Sequence, residues 1–179
     1  MITLVIGRPD SGKSLIAENI ACSSSGKKRY YLATMLIYDE AGKERIEKHR
    51  KQREGKGFIT LEVPYRIDRA LDMIDEPKES SVLLECIANL VGNEMYENID
   101  KKELCKPDAC NRERFTDEIF NDIKKLSAKV RDLVIVTNEY RGCEESDEMT
   151  RLYIELIDLL NEKLTKIADR IVDVRNEDT

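Results

Sequence analysis

The sequence predicts an α/β chain with a mostly parallel central β-sheet flanked by helices. Three observations lead there. Short apolar runs alternate with longer amphipathic ones. Several apolar runs are continuous, as in strands covered on both faces. Between the first run and the first amphipathic stretch lies a glycine-containing loop ending in Gly-Lys-Ser.

Taken in order, the predicted strands are Ile2–Ile6, Arg29–Ala33, Phe58–Val63, Val82–Cys86, Leu133–Thr137 and Arg170–Val174. The predicted helices are Lys13–Cys22, Lys43–Arg53, Ile67–Ile74, Ile87–Tyr96, Arg112–Lys129 and Glu148–Ala168. In the last, Leu152, Leu156, Leu159, Leu160, Leu164 and Ile167 recur at helical spacing and mark one buried stripe. Ser23 to Gly26 reads as a loop closing the first helix. Glu97 to Asn111, polar and broken by Pro107, reads as a surface connection.

With 179 residues, 41% hydrophobic and 37% charged, the chain suits one domain over 1–179. No apolar run approaches the roughly 18–20 residues that span a bilayer. The apolar start, Met1 to Ile6, lacks a basic region and ends at once in Gly7, so it reads as a strand rather than a signal peptide. A cytoplasmic location follows as an expectation. A net charge of −6 gives no overall attraction for nucleic acid. Cys22, Cys86, Cys105, Cys110 and Cys143 are scattered and read as reduced thiols. Cys105 and Cys110 lack the second pair, or nearby histidine, of a zinc site.

Gly7, Arg8, Pro9, Asp10, Ser11, Gly12, Lys13 and Ser14 match the phosphate-binding pattern G-x-x-x-x-G-K-[ST] in full. Gly7 and Gly12 allow the tight turn that brings backbone N–H groups onto phosphate oxygens. Lys13 places an ammonium near the β- and γ-phosphates, and Ser14 offers a hydroxyl to Mg²⁺. The following helix adds its positive dipole end. The strand–loop–helix setting makes this a P-loop NTPase fold binding a nucleoside triphosphate. Such a site needs a carboxylate at the end of a neighbouring strand to hold Mg²⁺. Glu85, closing Val82-Leu-Leu-Glu, is that candidate; the plainer reading is a strand-end glutamate facing solvent.

On a helix, Arg45, His49 and Arg53 share one face at i, i+4 and i+8. Stacked like charges cost a few tenths of a kcal/mol per pair, which a bound anion would reverse. Neighbouring cations also disfavour protonating the one histidine, keeping it available as nucleophile or base. By composition alone the run reads as a solvated basic face.

In order along the chain, the phosphate loop and Ser14-Leu-Ile-Ala-Glu18, Tyr31-Leu-Ala-Thr34, Arg45-Ile46 with His49-Arg50, Leu83-Leu-Glu-Cys-Ile87 with Asn93, Val136-Thr-Asn-Glu139, and Asn161 to Asp169 resemble one family. It is the bifunctional adenosylcobinamide kinase/adenosylcobinamide-phosphate guanylyltransferase family of cobalamin biosynthesis. The resemblance implies guanylylation of His49 during turnover, with Lys13 assisting and GTP (or ATP) and Mg²⁺ required. It implies nucleotide contacts at Thr34, Met35, Leu36, Arg50, Lys51, Gln52, Arg53, Glu62 and Glu85, with Ser14 and Glu85 on the metal side. The implied partners are the nucleoside triphosphate, adenosylcobinamide or its phosphate, and further copies of the chain in a homotrimer.

Departures from the family pattern are Arg8 and Pro9 in the loop, Tyr140 to Asp147 with one glycine and no proline, Ile154 in place of Arg, and Asp158 in place of Gly. The ending Ile171 to Asn176 also lacks the family's glycine. The resemblance thus carries the nucleotide half further than the cobinamide half. A simpler small-molecule kinase and a non-catalytic nucleotide-binding regulator stand as alternatives.

Overall fold

A computed structural model describes residues 1–37, 39–99, 109–140 and 147–174, without the side chains of residues 98, 99, 109 and 110. The Cys105/Cys110 pair, Cys143, most of the 97–111 connection, residues 141–146 of the altered loop and residues 175–176 lie outside what is described.

The order is β1 (Ile2–Gly7), α1 (Lys13–Ser23), β2 (Lys28–Ala33), α2 (Glu40–Arg53), β3 (Phe58–Glu62), β4 (Ser80–Glu85), α3 (Ile87–Ile99), α4 (Ala109–Lys129), β5 (Asp132–Asn138), α5 (Glu148–Ile167) and β6 (Arg170–Val174). The six strands form one sheet in the order β3-β2-β4-β5-β1-β6. Every pairing is parallel, so the sheet is wholly rather than mostly parallel.

β4 and the middle of β5 are buried throughout, as strands covered on both faces must be. On one face Ala17 and Ala21 of α1 pack on Val5, Tyr31, Leu83, Val134 and Val136. On the other, α3, α4 and α5 enclose the larger core around Leu84, Leu133 and Ile135. Leu152, Leu156, Leu160 and Leu164 are the buried stripe of α5; Ile157 joins them, while Leu159 is only half buried.

Several elements differ from expectation. β4 starts two residues early, at Ser80, α3 runs on to Ile99 and α4 begins at Ala109, so both described ends of the expected 97–111 connection are helical. The predicted helix at Ile67–Ile74 is a 3₁₀ turn over Ile67–Asp72. It is entered at Arg66 with φ 46°, and it buries Ile67 and Ala70 three residues apart. An i, i+3 pair eclipses in 3₁₀ geometry, and so short a segment does not meet the nucleation cost of an α-helix. Helix α2 starts three residues before the expected Lys43, because Asp39 caps it by accepting from Gly42 N at 2.7 Å.

The site is set by where the strands stop. Across the sheet, Glu62 pairs with Ala33, Ala33 with Glu85, Glu85 with Val136, and Val136 with Val5. The C-terminal ends of five strands therefore lie in one row, where open α/β sheets bind ligands.

Candidate active site

Gly7 ends β1, and a Cβ there would lie 2.6 Å from the Val174 carbonyl and 2.8 Å from Ser11 Oγ. Gly12 adopts φ 79° at the start of α1, with no side chain capping the helix. The first N–H groups of α1 are thus left for a ligand. Lys13 is buried, and its Nζ donates to the Arg8 carbonyl at 2.9 Å. Burial holds its pKa below the ordinary lysine value, against the opposing pull of Cys86, Glu85 and Asp10. Arg8, Pro9 and Asp10 are exposed.

Glu85 sits at the end of β4 and accepts a short hydrogen bond from Ser14 Oγ. It does not lie on a strand next to β1: β5 intervenes. The carboxylate still reaches the loop, because α1 crosses over β5 and turns Ser14 toward β4. The second oxygen, Oε2, is buried without a partner. Cys86 follows, its thiol pushed up to about 11 by burial.

The loop opens on a cleft of about 430 Å³. Pro9 to Ser14, Met35, His49, Arg50, Arg53, Glu62 and Glu85 line it. His49 is half buried, and its Nδ1 is enclosed without a hydrogen-bond partner. Arg53 is 7% exposed. Its guanidinium carbon lies 3.5 Å from the centre of the Tyr31 ring, and Nη1 has no partner. Ser11 Oγ is likewise buried and unpartnered. Arg45 shares the cleft with His49 and Arg53, as their i, i+4, i+8 spacing requires. The Arg50–Glu62 pair at 3.3 Å is exposed at the rim.

Other expected residues are not brought together with these. Thr34 is fully buried and ties β2 to β4. Its Oγ1 donates to the Cys86 carbonyl at 2.9 Å and accepts from Cys86 N at 2.7 Å. Asn93 donates to its carbonyl at 2.7 Å. Leu36, Lys51 and Gln52 do not line the cleft; Lys51 faces a shallower groove beyond α2.

Sequence reasoning missed Tyr31, Asn89, Asn138, Tyr140 and Tyr153, all of which line the cleft. Asn138 and Tyr140 had a usable signal, since they follow directly on a C-terminal strand end. Asn89 and Tyr153 sit on helices, and nothing local marks them.

A sheet of this order with a glycine loop entering α1 defines the class: a P-loop nucleotide-binding protein. The fold is shared with solved structures at low identity. An ATPase from the type III secretion system of pathogenic bacteria matches at TM-score 0.60 and 11% identity, covering 96% of this chain. A second solved structure, of an isolated ATPase domain, matches at TM-score 0.50 and 10% identity, covering 96% of this chain and 68% of that one. The chain spans half the length of the secretion ATPase. No curated protein matches it. The model of the family described as CobU, cobinamide kinase / cobinamide phosphate guanyltransferase, matches residues 3–176. The chain belongs to that enzyme family of cobalamin biosynthesis. Among the described residues, no helix is long and apolar enough to cross a membrane.

Proposed function

We propose that this chain phosphorylates adenosylcobinamide and then transfers GMP from GTP to the product through a guanylyl-His49 intermediate. One observation carries the reading: His49 opens on the same cleft as Lys13, Ser14 and Glu85.

Loop N–H groups and Lys13 hold the phosphates of the nucleotide. A neutral imidazole nitrogen of His49 gives its lone pair to the α-phosphorus. The N–P bond forms as the bond from that phosphorus to the bridging oxygen breaks, and pyrophosphate leaves with the electron pair. The other ring nitrogen then releases its proton to water. Lys13 and Arg53 neutralise charge on the oxygens as this happens. In the second half, a phosphate oxygen of adenosylcobinamide phosphate attacks the phosphorus, and the N–P pair returns to His49. In the kinase step the cobinamide hydroxyl attacks the γ-phosphorus, nucleoside diphosphate leaves, and the hydroxyl proton passes to water.

The residues present fit Mg²⁺. Ser14 Oγ and the unpartnered Glu85 Oε2 are hard oxygen donors at one spot. An ion held by these two oxygens would be completed by phosphates and water. When bound, it would neutralise phosphate charge. A cytoplasmic homotrimer belongs to the same proposal, and sedimentation velocity reads the assembly.

The test is incubation with Mg²⁺ and GTP labelled at the α-phosphate, followed by denaturation. Acid-labile, alkali-stable label on the protein that is absent from His49→Ala is expected. No label, with GTP binding intact, would remove His49 as nucleophile.

A further inference from the structure

The cleft has two ends of different chemistry. One is cationic, with Arg45, Arg50 and Arg53 on the helix that carries His49. The other, where β5, α3 and α5 meet, presents Ala88, Asn89, Asn138, Tyr140 and Tyr153. It carries no charge: burial, with the hydrogen bond to Tyr140, pushes the Tyr153 phenol far above its ordinary range.

This neutral end is built rather than incidental. The Tyr140 and Tyr153 rings lie 5.9 Å apart at 57°. Tyr153 donates to the Ala88 carbonyl at 3.1 Å, and Asn138 Nδ2 donates to the Tyr140 hydroxyl at 2.9 Å. Asn161, buried in α5, donates to the Asn138 carbonyl at 2.9 Å and accepts from Thr137 Oγ1 at 2.7 Å. The wall is thereby fixed to the sheet end next to the phosphate loop, where Glu139 N donates to the Gly7 carbonyl at 3.0 Å. Asn89 completes it, its side-chain amide without a hydrogen-bond partner among the described residues.

A polyphosphate gains nothing from such a surface and settles on the phosphate loop between the two ends. A large uncharged surface rimmed with amides gains twice: apolar contact with the tyrosines, and paired amide hydrogen bonds with the asparagines. Adenosylcobinamide, with its peripheral amides and alcohol side chain, has that chemistry. We propose that Asn89, Asn138, Tyr140 and Tyr153 form the acceptor subsite, holding the amide-bearing corrinoid against the phosphates while His49 works from the opposite end. The inference rests on the proposed function and deepens it.

The experiment compares wild type, Asn89→Ala and Tyr140→Leu in three readouts: GTP affinity, acceptor-free labelling of His49, and the kinase KM for adenosylcobinamide. Asn89→Ala removes an amide the fold does not use, so it guards against a folding defect in the tyrosine variant. The expected result is a KM for adenosylcobinamide raised about tenfold by Tyr140→Leu and about threefold by Asn89→Ala. GTP affinity and labelling should change less than twofold. An unchanged KM in both variants, or GTP binding weakened in step with KM, would overturn the assignment, the second outcome making the wall a nucleobase site. Absence of label already in wild type would count against the guanylyl-histidine instead, and the KM comparison still judges the acceptor subsite through the kinase step.

Discussion

Helix α1 buries Lys13, Ala17, Glu18 and Ala21, and its alanines sit on the sheet among Val5, Leu83 and Val136. Helix α2, on the other side of the cleft, buries only Gly42 and Arg53. It has no apolar stripe to lay on the sheet, and helices of that kind depend on side-chain pairs. What holds it is a short set of polar ties: the Asp39 cap, Arg53 stacked on Tyr31, and the rim pair Arg50–Glu62. Just past its end, Lys56 reaches the fully buried Glu18 of α1 at 2.5 Å. The phosphate loop is therefore part of the core. The histidine helix is fastened to that core by a few charges. Holding phosphate and presenting His49 are separable tasks here, and single substitutions should separate them.

The largest expected effect lies on the α1 side. Lys13→Ala should lower kcat/KM about 10²–10³-fold, because a buried cation aimed at the phosphates is lost. His49→Ala should abolish labelling yet leave GTP affinity within about threefold, if binding belongs to the loop. Equal loss of binding in both variants would erase the distinction.

Next is the tie between the two helices. Lys56→Met leaves the Glu18 carboxylate buried and uncompensated, and should cost about 3 kcal/mol in urea unfolding. Smaller is the tyrosine platform. Tyr31→Leu should speed amide exchange in the last turn of α2 about tenfold, the equivalent of roughly 1.4 kcal/mol. Exchange in α1 should change much less; a uniform change would mean that Tyr31 serves only the core.

Lys13 supplies the pH dependence. Burial lowers its pKa in the free protein, and bound polyphosphate would raise it, so binding takes up a proton in the window between. GTP affinity should therefore fall as pH rises through the lowered value, below the ordinary lysine pKa of about 10.4. The free protein moves the other way. Its unfolded form holds the extra proton in that window, so Lys13 makes the fold more stable with rising pH. Calorimetry in buffers of different ionisation enthalpy would detect the proton uptake. The smallest effect belongs to Arg50→Ala. Its pair with Glu62 is exposed, and its loss should change stability by under about 0.5 kcal/mol.

Much of this was legible without coordinates. The phosphate loop could be read because its chemistry is local: glycines for the turn, then a lysine and a serine opening a helix. β6 agreed with its expected limits, Arg170–Val174, and β1, β3 and β5 to within a residue. Burial explains β1 and β5, whose apolar runs are covered on both faces; the edge strands β3 and β6 are largely exposed and were legible from their β-branched residues. Short or polar elements were harder. Ile67–Asp72 looked like a helix because its apolar spacing fits either geometry. The start of α2 was hidden because Gly42 resembles a breaker, although here it leaves room for the Asp39 cap: a Cβ would stand 3.1 Å from Asp39 Oδ1.

Local residue chemistry sets the loop, the alternation of strands and helices, and which residue types are available for chemistry. The packed fold sets which of these residues meet. Glu85 reaches Ser14 across an intervening strand, and Thr34 spends its hydrogen bonds on Cys86 inside the fold. Asn89, Tyr140 and Tyr153, far apart in sequence, close one end of the cleft. The reason is physical: turn and helix preferences act over a few neighbouring residues, whereas strand order comes from long-range pairing of the whole sheet.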